Sequence, residues 1–338
     1  MTRSSASLAL GGAVVAAAAC AVAAVRVMHT RKRKVVITGG CGNLGTKLAL
    51  HLLRSGEYDV VLLEAPAFYK DTAAVAAGAT VVLCDLGDGM DAKWRAALKG
   101  ADALVHFSAV NPYPNASWAE SAGSMAHTFN AFQAATQLGV RRVILASSNH
   151  VMGQYKEMFA HGSVRPTDPP ACGTPLRDKA HMAASGDAIA YAAAKLAGEE
   201  LAKALAATMA AHGATRTSFY ILRIGWCQPG ENSPRTLSAA GVPPEFQTQG
   251  VDQAAAGGAA AVKADVDGDW FKNMWLSNGD FCRYFEAAIV RPPPPAGKVV
   301  LVNAMSNNSG MRWSLAETQA ALGVVAQDDS RAPLAATS

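Results

Sequence analysis

The stretch Lys34–Leu53 reads KVVITGGCGNLGTKLALHLL, and its reading decides the fold. Val35, Val36 and Ile37 form a short β-branched run, as expected of a strand covered on both faces. Gly39, Gly42 and Gly45 follow at even spacing, and Leu44, Leu48, Leu52 and Leu53 then recur at helical intervals. Strand, glycine turn and helix in this order open a dinucleotide-binding βαβ unit. The turn needs a residue without Cβ, the backbone must approach a pyrophosphate, and the helix must pack closely on its strand. The amides of Asn43, Leu44 and Gly45 at the helix N-terminus then face the phosphates. A Gly-x-x-Gly-x-x-Gly match alone is weak; its place between strand and helix gives it weight.

Working outward, DVVLLE (Asp59–Glu64) is a second buried strand that ends in a carboxylate about 20 residues beyond the turn. There an acid accepts hydrogen bonds from the adenosine ribose, and no Arg follows closely to receive a 2′-phosphate, so NAD is expected rather than NADP. ATVVLCDL (Ala79–Leu86) is a third strand, ALVHFSA (Ala103–Ala109) a fourth, and RRVILASSNHVMG a fifth with a polar exit. SFYILRI (Ser218–Ile224) and KVVLVNA add two more. Helices are predicted over Trp94–Leu98, Ser124–Leu138, the segment AIAYAAAKLAGEELAKALAATMAAHG and Trp270–Ile289, with SLAETQAALG as a last helix capped by Ser314 and Glu317. Alternating strands and helices predict an α/β fold of the Rossmann type, a doubly wound parallel sheet with a small C-terminal substrate-binding part. Its ligands bind beyond the C-terminal strand ends.

Half of the 338 residues are apolar and the net charge is only +4, with much of the positive charge in Arg31, Lys32, Arg33 and Lys34. That distribution does not suggest a nucleic-acid face. Leu8–Val25 is an uninterrupted run of small and apolar residues, and no acidic residue precedes Glu57. Residues 1–33 are therefore expected to be a membrane anchor or a targeting segment, with a cleaved secretory signal weighed against both. The basic flank places the following domain on the cytoplasmic side of a membrane; organelle targeting is the alternative. The NAD-binding domain is expected over 34–325, with a flexible Ala- and Gly-rich insertion over 239–273 and a disordered tail over 326–338. Beyond Cys20, the scattered Cys41, Cys84, Cys172, Cys227 and Cys282 lack a CxxC pair, so reduced buried thiols are expected and no metal site. Oligomeric state is left open, a homo-oligomer included.

Tyr191 and Lys195 are spaced i and i+4, so both project from one helix face. A phenol titrates near 10, too high for a base at neutral pH, and a nearby ammonium is expected to lower that value. Ser148, at the exit of the fifth strand, is the hydroxyl expected to hold a substrate oxygen. A surface Tyr with a Lys one turn on is a common arrangement; its place after the fifth strand of a nucleotide-binding sheet makes it a signal.

TGGCGNLG, CDL at Cys84–Leu86, HFSA, ASSNHVMG and YAAAK together resemble the extended short-chain dehydrogenase/reductase superfamily, the NAD-dependent epimerase/dehydratase family. ASSNHVMGQY, LRIGWCQPGENSPRTLS and LSNGDFCRYFEAAI resemble the NAD-dependent uronate dehydrogenases, which oxidise C1 of a uronate to an aldarolactone. The likeness runs from Val35 to about Gly323. It implies that Tyr191 is the general base, Lys195 its activator and a ligand of the cofactor ribose, and Ser148 the partner of the substrate hydroxyl. It implies cofactor contacts at Gly39, Gly42, Asn43, Leu44, Gly45, Glu64, Asp85 and Leu86, and a sugar-acid substrate held by Asn111, Asn149, His150 and Arg235. An arginine fork suits a carboxylate. Two positions depart from the pattern: Trp226 stands where a small hydroxyl residue lies beside the sugar, and Ser124 replaces a supporting helix asparagine. A nucleotide-sugar epimerase or dehydratase, and a non-catalytic membrane-tethered NAD-binding protein, are the rival expectations.

Overall fold

The computed structural model describes residues 31–111, 116–156, 158, 162–173, 187–214, 216–234, 237 and 269–332. The apolar leader and Arg235 lie outside them. So does the Ala- and Gly-rich stretch 239–268. Among the described residues no helix is long and apolar enough to cross a membrane.

The β-branched run becomes the central strand β1 (Arg33–Thr38), flanked by β2 (Tyr58–Glu64) and β4 (Ala103–His106), with Val36 opposite both Val61 and Leu104. With β3 (Thr80–Leu83), β5 (Arg142–Ser148), β6 (Ser218–Ile224) and β7 (Val300–Ala304) it forms a parallel sheet in the order β3-β2-β1-β4-β5-β6-β7. The strand order reverses between β1 and β4, where such sheets open a ligand crevice.

Both faces are covered because successive side chains of each strand point to opposite sides. Val35 and Ile37 pack with Leu48 and Leu52 of α1 (Asn43–Ser55) and with Phe281 and Phe285 of a late helix. Val36 and Leu104 face the other way, toward a layer that holds Trp94, Phe132, Ala202 and Ala206. The short helices α2 (Ala73–Ala76) and α3 (Ala92–Leu98) fill the crossovers beside β3; the long α4 (Trp118–Gln137) and α5 (Ile189–Ala211) pack side by side.

The glycine turn is tighter than a pattern can reveal. Gly39 has φ of 62°, in the left-handed region, and a methyl at Gly45 would lie 2.5 Å from the Gly39 carbonyl oxygen. A methyl at Gly40 would lie 2.6 Å from Cβ of Leu62, so this fourth glycine lets the turn sit on β2.

Four expectations need correction. The helix predicted over Trp270–Ile289 is two helices, α6 (Asp269–Met274) and α7 (Asn278–Val290). The break is tertiary: Trp226 N donates to Met274 O, Leu276 N donates to Trp226 O, and the Ser277 hydroxyl caps α7 at Asp280 N. Asp269–Asn273 of the supposed flexible insertion is therefore helical. Residues 326–332 are not a loose tail. Gln327 N and Asp328 N donate to the buried Asp280 carboxylate, and Ser330 Oγ donates to Lys272 O. In α8 (Ala316–Leu322) Leu315 is the N-cap, and the Ser314 hydroxyl donates to the Glu317 side chain instead of capping the backbone.

Gly45→Ala is expected to destabilise the fold by about 1–3 kcal/mol, because backbone oxygens on both sides resist the methyl. Gly123→Ala, on α4 with no atom within 4 Å of the added carbon, should stabilise by about 1 kcal/mol. Urea midpoints at constant slope check both, and equal shifts would contradict the packing described for the turn.

Candidate cofactor and catalytic site

The C-terminal edge of the sheet gathers the polar side chains. At β1 the N-terminus of α1 carries no side-chain cap, so the first-turn amides of Asn43, Leu44 and Gly45 remain for an anion. The Asn43 side chain turns elsewhere and donates to Cys227 O at 3.1 Å, so only its backbone can serve the turn. Lys47, one turn on, donates to Gln228 O, and these two contacts tie the loop after β6 to α1. Glu64, 8% exposed at the end of β2, accepts from Cys41 N of the glycine turn at 3.0 Å. A carboxylate fixed there stands where a ribose diol would be gripped. Asp85 caps its own turn by accepting from Gly87 N, while Asn130 of α4 donates to Leu86 O and holds that segment in place. Turn, bare helix end and carboxylate fit a dinucleotide lying across the switch point.

Two strands further along, β5 delivers Ser148, which is buried and accepts from His150 N at 3.1 Å. α5 delivers Tyr191 and Lys195 from one face. The Ser148 hydroxyl stands beside the Tyr191 phenol, the Lys195 ammonium lies 5.6 Å from the Tyr191 ring centre, and the His150 ring meets that ring edge-on at 6.0 Å. Lys195 Nζ donates to Ala146 O at 2.9 Å. The ammonium therefore lies over the ring and bonds to the backbone, with no charge placed at the phenolic oxygen. Burial consequently pushes the Tyr191 phenol up to about 12, opposed by the Ser148 hydroxyl, and brings Lys195 down to about 8. This corrects the expectation of a phenol lowered by its lysine: desolvation outweighs the spacing.

Asn149 is 2% exposed; its Nδ2 donates to Ile224 O, and its Oδ1 accepts from none of the described residues. Asn111 is exposed at the exit of β4. Arg235 lies outside the described residues, but its flanks are pinned. Asn232, with φ of 56°, accepts from Gln228 N and donates to Leu276 O, and Leu237 packs on Trp275. The half-buried Trp226 packs on both Leu237 and Trp275, and also on the Met152–Met305 cluster. Ser124 accepts from Val110 N and donates to Glu120 O, which ties the β4 exit to α4.

The model of the family described as NAD dependent epimerase/dehydratase matches residues 35–223, more than half of the chain. The chain belongs to that family. Among its relatives, the uronate dehydrogenase of Pseudomonas syringae pv. tomato is 34% identical over 151 residues, covering 43% of this chain and 51% of that protein. The match thus spans about half the length of that curated relative. The L-arabinose 1-dehydrogenase (NAD(P)(+)) of Haloferax volcanii is 27% identical over 304 residues, 88% of this chain and 97% of that one. A solved mutated uronate dehydrogenase superposes with a TM-score of 0.58 at 23% identity, covering 89% of this chain and 83% of that chain, and shares the fold.

Sequence reasoning missed several residues that hold this edge of the sheet together. Gly40, Asn130 and Lys47 carry no pattern beyond their element. His106 is wholly buried between Thr38 Oγ1 at 2.8 Å and Thr128 Oγ1 at 3.0 Å. Thr38 Oγ1 already accepts from Phe107 N and Ser108 N, so its proton goes to the ring. The imidazole is held neutral, a state that burial also favours.

NAD is the cofactor, and the fixed carboxylate of Glu64 is expected to favour it over NADP. Excluding a 2′-phosphate from a fixed carboxylate is worth on the order of 1.4 kcal/mol or more, so NAD should be used at least about tenfold better than NADP. Competitive titration with both cofactors checks this; equal affinity would remove Glu64 from the ribose site.

Proposed function

We propose that this protein is an NAD-dependent oxidoreductase that oxidises the C1 hydroxyl of a uronate to an aldarolactone. The observation that carries the reading is the meeting of Ser148, Tyr191 and Lys195 where β5 and α5 come together, with Lys195 Nζ bonded to Ala146 O and 5.6 Å from the Tyr191 ring centre. The named dehydrogenases of Pseudomonas and Haloferax among the relatives support the redox assignment.

Ser148 and Tyr191 would grip the reacting oxygen from two sides. Tyr191, once it has released its own proton to solvent, accepts the O1 proton as the hydride leaves C1 for NAD, and the hemiacetal carbon becomes the lactone carbonyl. NAD, when bound, supplies the hydride acceptor. Lys195 keeps a positive charge near the phenol at neutral pH, since about 8 still lies above that range. That charge lies over the ring and not at the phenolic oxygen, so the high resting value of the phenol means that Tyr191 must shed its own proton before it can accept one, and turnover should rise with pH. The unpartnered Oδ1 of Asn149 suits a sugar hydroxyl, because a buried carbonyl left without a donor costs about 1–3 kcal/mol. Arg235 follows the pinned Asn232 by three residues, which supports its holding the carboxylate at the same edge.

The test compares a uronate with the aldose that differs only at C6, using wild type and Arg235→Ala. A guanidinium–carboxylate pair in a closed site is worth about 2–4 kcal/mol, so Arg235→Ala should lower kcat/KM on the uronate roughly 30-fold or more. NAD affinity should hardly change. A wild type that shows no preference for the acid would overturn the uronate reading.

A further inference from the structure

Behind the reacting groups lies a cluster that the chemistry above does not use. Glu199 and Arg223 are among the most deeply buried charged side chains, at 0% and 1% exposure. Glu199 sits on α5, four residues after Lys195 and eight after Tyr191, so the three share a helix face. Arg223 stands on β6 directly opposite Ser147 of β5. The Glu199 carboxylate accepts from Ser147 Oγ at 2.5 Å, from Arg223 Nε at 2.9 Å and from Arg223 Nη2 at 2.7 Å. Arg223 Nη1 donates to Pro166 O at 3.1 Å, in the loop whose Val164 bonds to Arg312, Ser314 and Asn303 on the substrate side.

We infer that the Ser147–Glu199–Arg223 cluster sets the position of the catalytic helix, and that Ser147 and Glu199 are positioning residues for turnover. The inference rests on the reading of Tyr191 and Lys195 as the reacting pair. Three consecutive residues of β5 grip α5 at three consecutive turns: Ser148 at Tyr191, Ala146 O at Lys195, and Ser147 at Glu199. The first grip reacts and the second holds a flexible side chain. The third is reinforced from the next strand: Glu199 accepts one bond from Ser147 and a bidentate pair from Arg223 of β6, so both carboxylate oxygens are occupied. It therefore fixes the height and rotation of the helix against the strand end, and through Pro166 it links that position to the substrate-side loop. Stability alone gives no reason for such a pair, since apolar residues of similar volume often replace a buried ion pair at no cost.

Two variants separate positioning from stability. Ser147→Ala leaves the ion pair intact and cuts the tie between β5 and α5. Glu199→Met with Arg223→Met removes both charges together, so that neither is left buried alone. Each should keep its Tm within about 4 °C and its KM for NAD within about twofold. Each should lose roughly tenfold or more in kcat on whichever uronate or aldose the wild type oxidises, because a small displacement of the reacting groups has that effect. Amide exchange over Ile189–Lys195 should rise roughly tenfold while that of α4 stays unchanged.

Wild-type kcat and exchange in Ser147→Ala would overturn the inference, even if the double variant fails to fold. A stable double variant with full turnover would also overturn it. If the wild type turns over no sugar, the reaction reading fails by itself, and the exchange rates still decide whether the cluster holds the helix.

Discussion

The nucleotide half depends on the close approach of the α1 N-terminus to the glycine turn. Gly45 lies so near the carbonyls of Gly39 and Gly40 that no side chain fits between them. This contact brings uncapped amides to the edge of the sheet at its switch point. It also presents Cys41 N to the Glu64 carboxylate, which links β1 to β2 at the same edge. A helix displaced by the width of one methyl group would aim its amides elsewhere and release that carboxylate.

A second constraint governs the reacting half. β5 ends in three residues that each hold α5, and the helix carries both groups assigned to proton transfer. Burial is the source of their chemistry. It lowers Lys195 to about 8 and raises Tyr191 to about 12, so the two values move apart and each group is pushed toward its neutral form. The sheet thus supplies an anion-accepting turn at one strand end and a desolvated acid–base pair two strands away. A dinucleotide spanning that interval would have one end at each.

The sheet was legible because strands buried on both faces read as apolar runs, and Val35–Ile37 and Phe219–Leu222 are such runs. Tyr191, Lys195 and Ser148 were legible because helical spacing and strand exits are local properties. What escaped depends on contacts distant in sequence. The break at Trp275–Ser277 is imposed by Trp226, and residues 326–332 are ordered by the buried Asp280. The value at Tyr191 followed neither spacing nor charge count, since the lysine bonds to Ala146 O and leaves the phenol to its desolvation. Glu199 carried a visible signal, four residues beyond Lys195 on the same face. Its meaning appeared only with Arg223 opposite Ser147.

The central claim is that a hydride leaves the sugar for good, which separates a dehydrogenase from an epimerase or dehydratase built on the same family fold. The direct measurement follows deuterium placed at C1 of a uronate through one turnover with NAD. The account predicts deuterium in the released reduced cofactor and an aldarolactone that carries none. Deuterium kept in the sugar, with no net reduced cofactor, would contradict it.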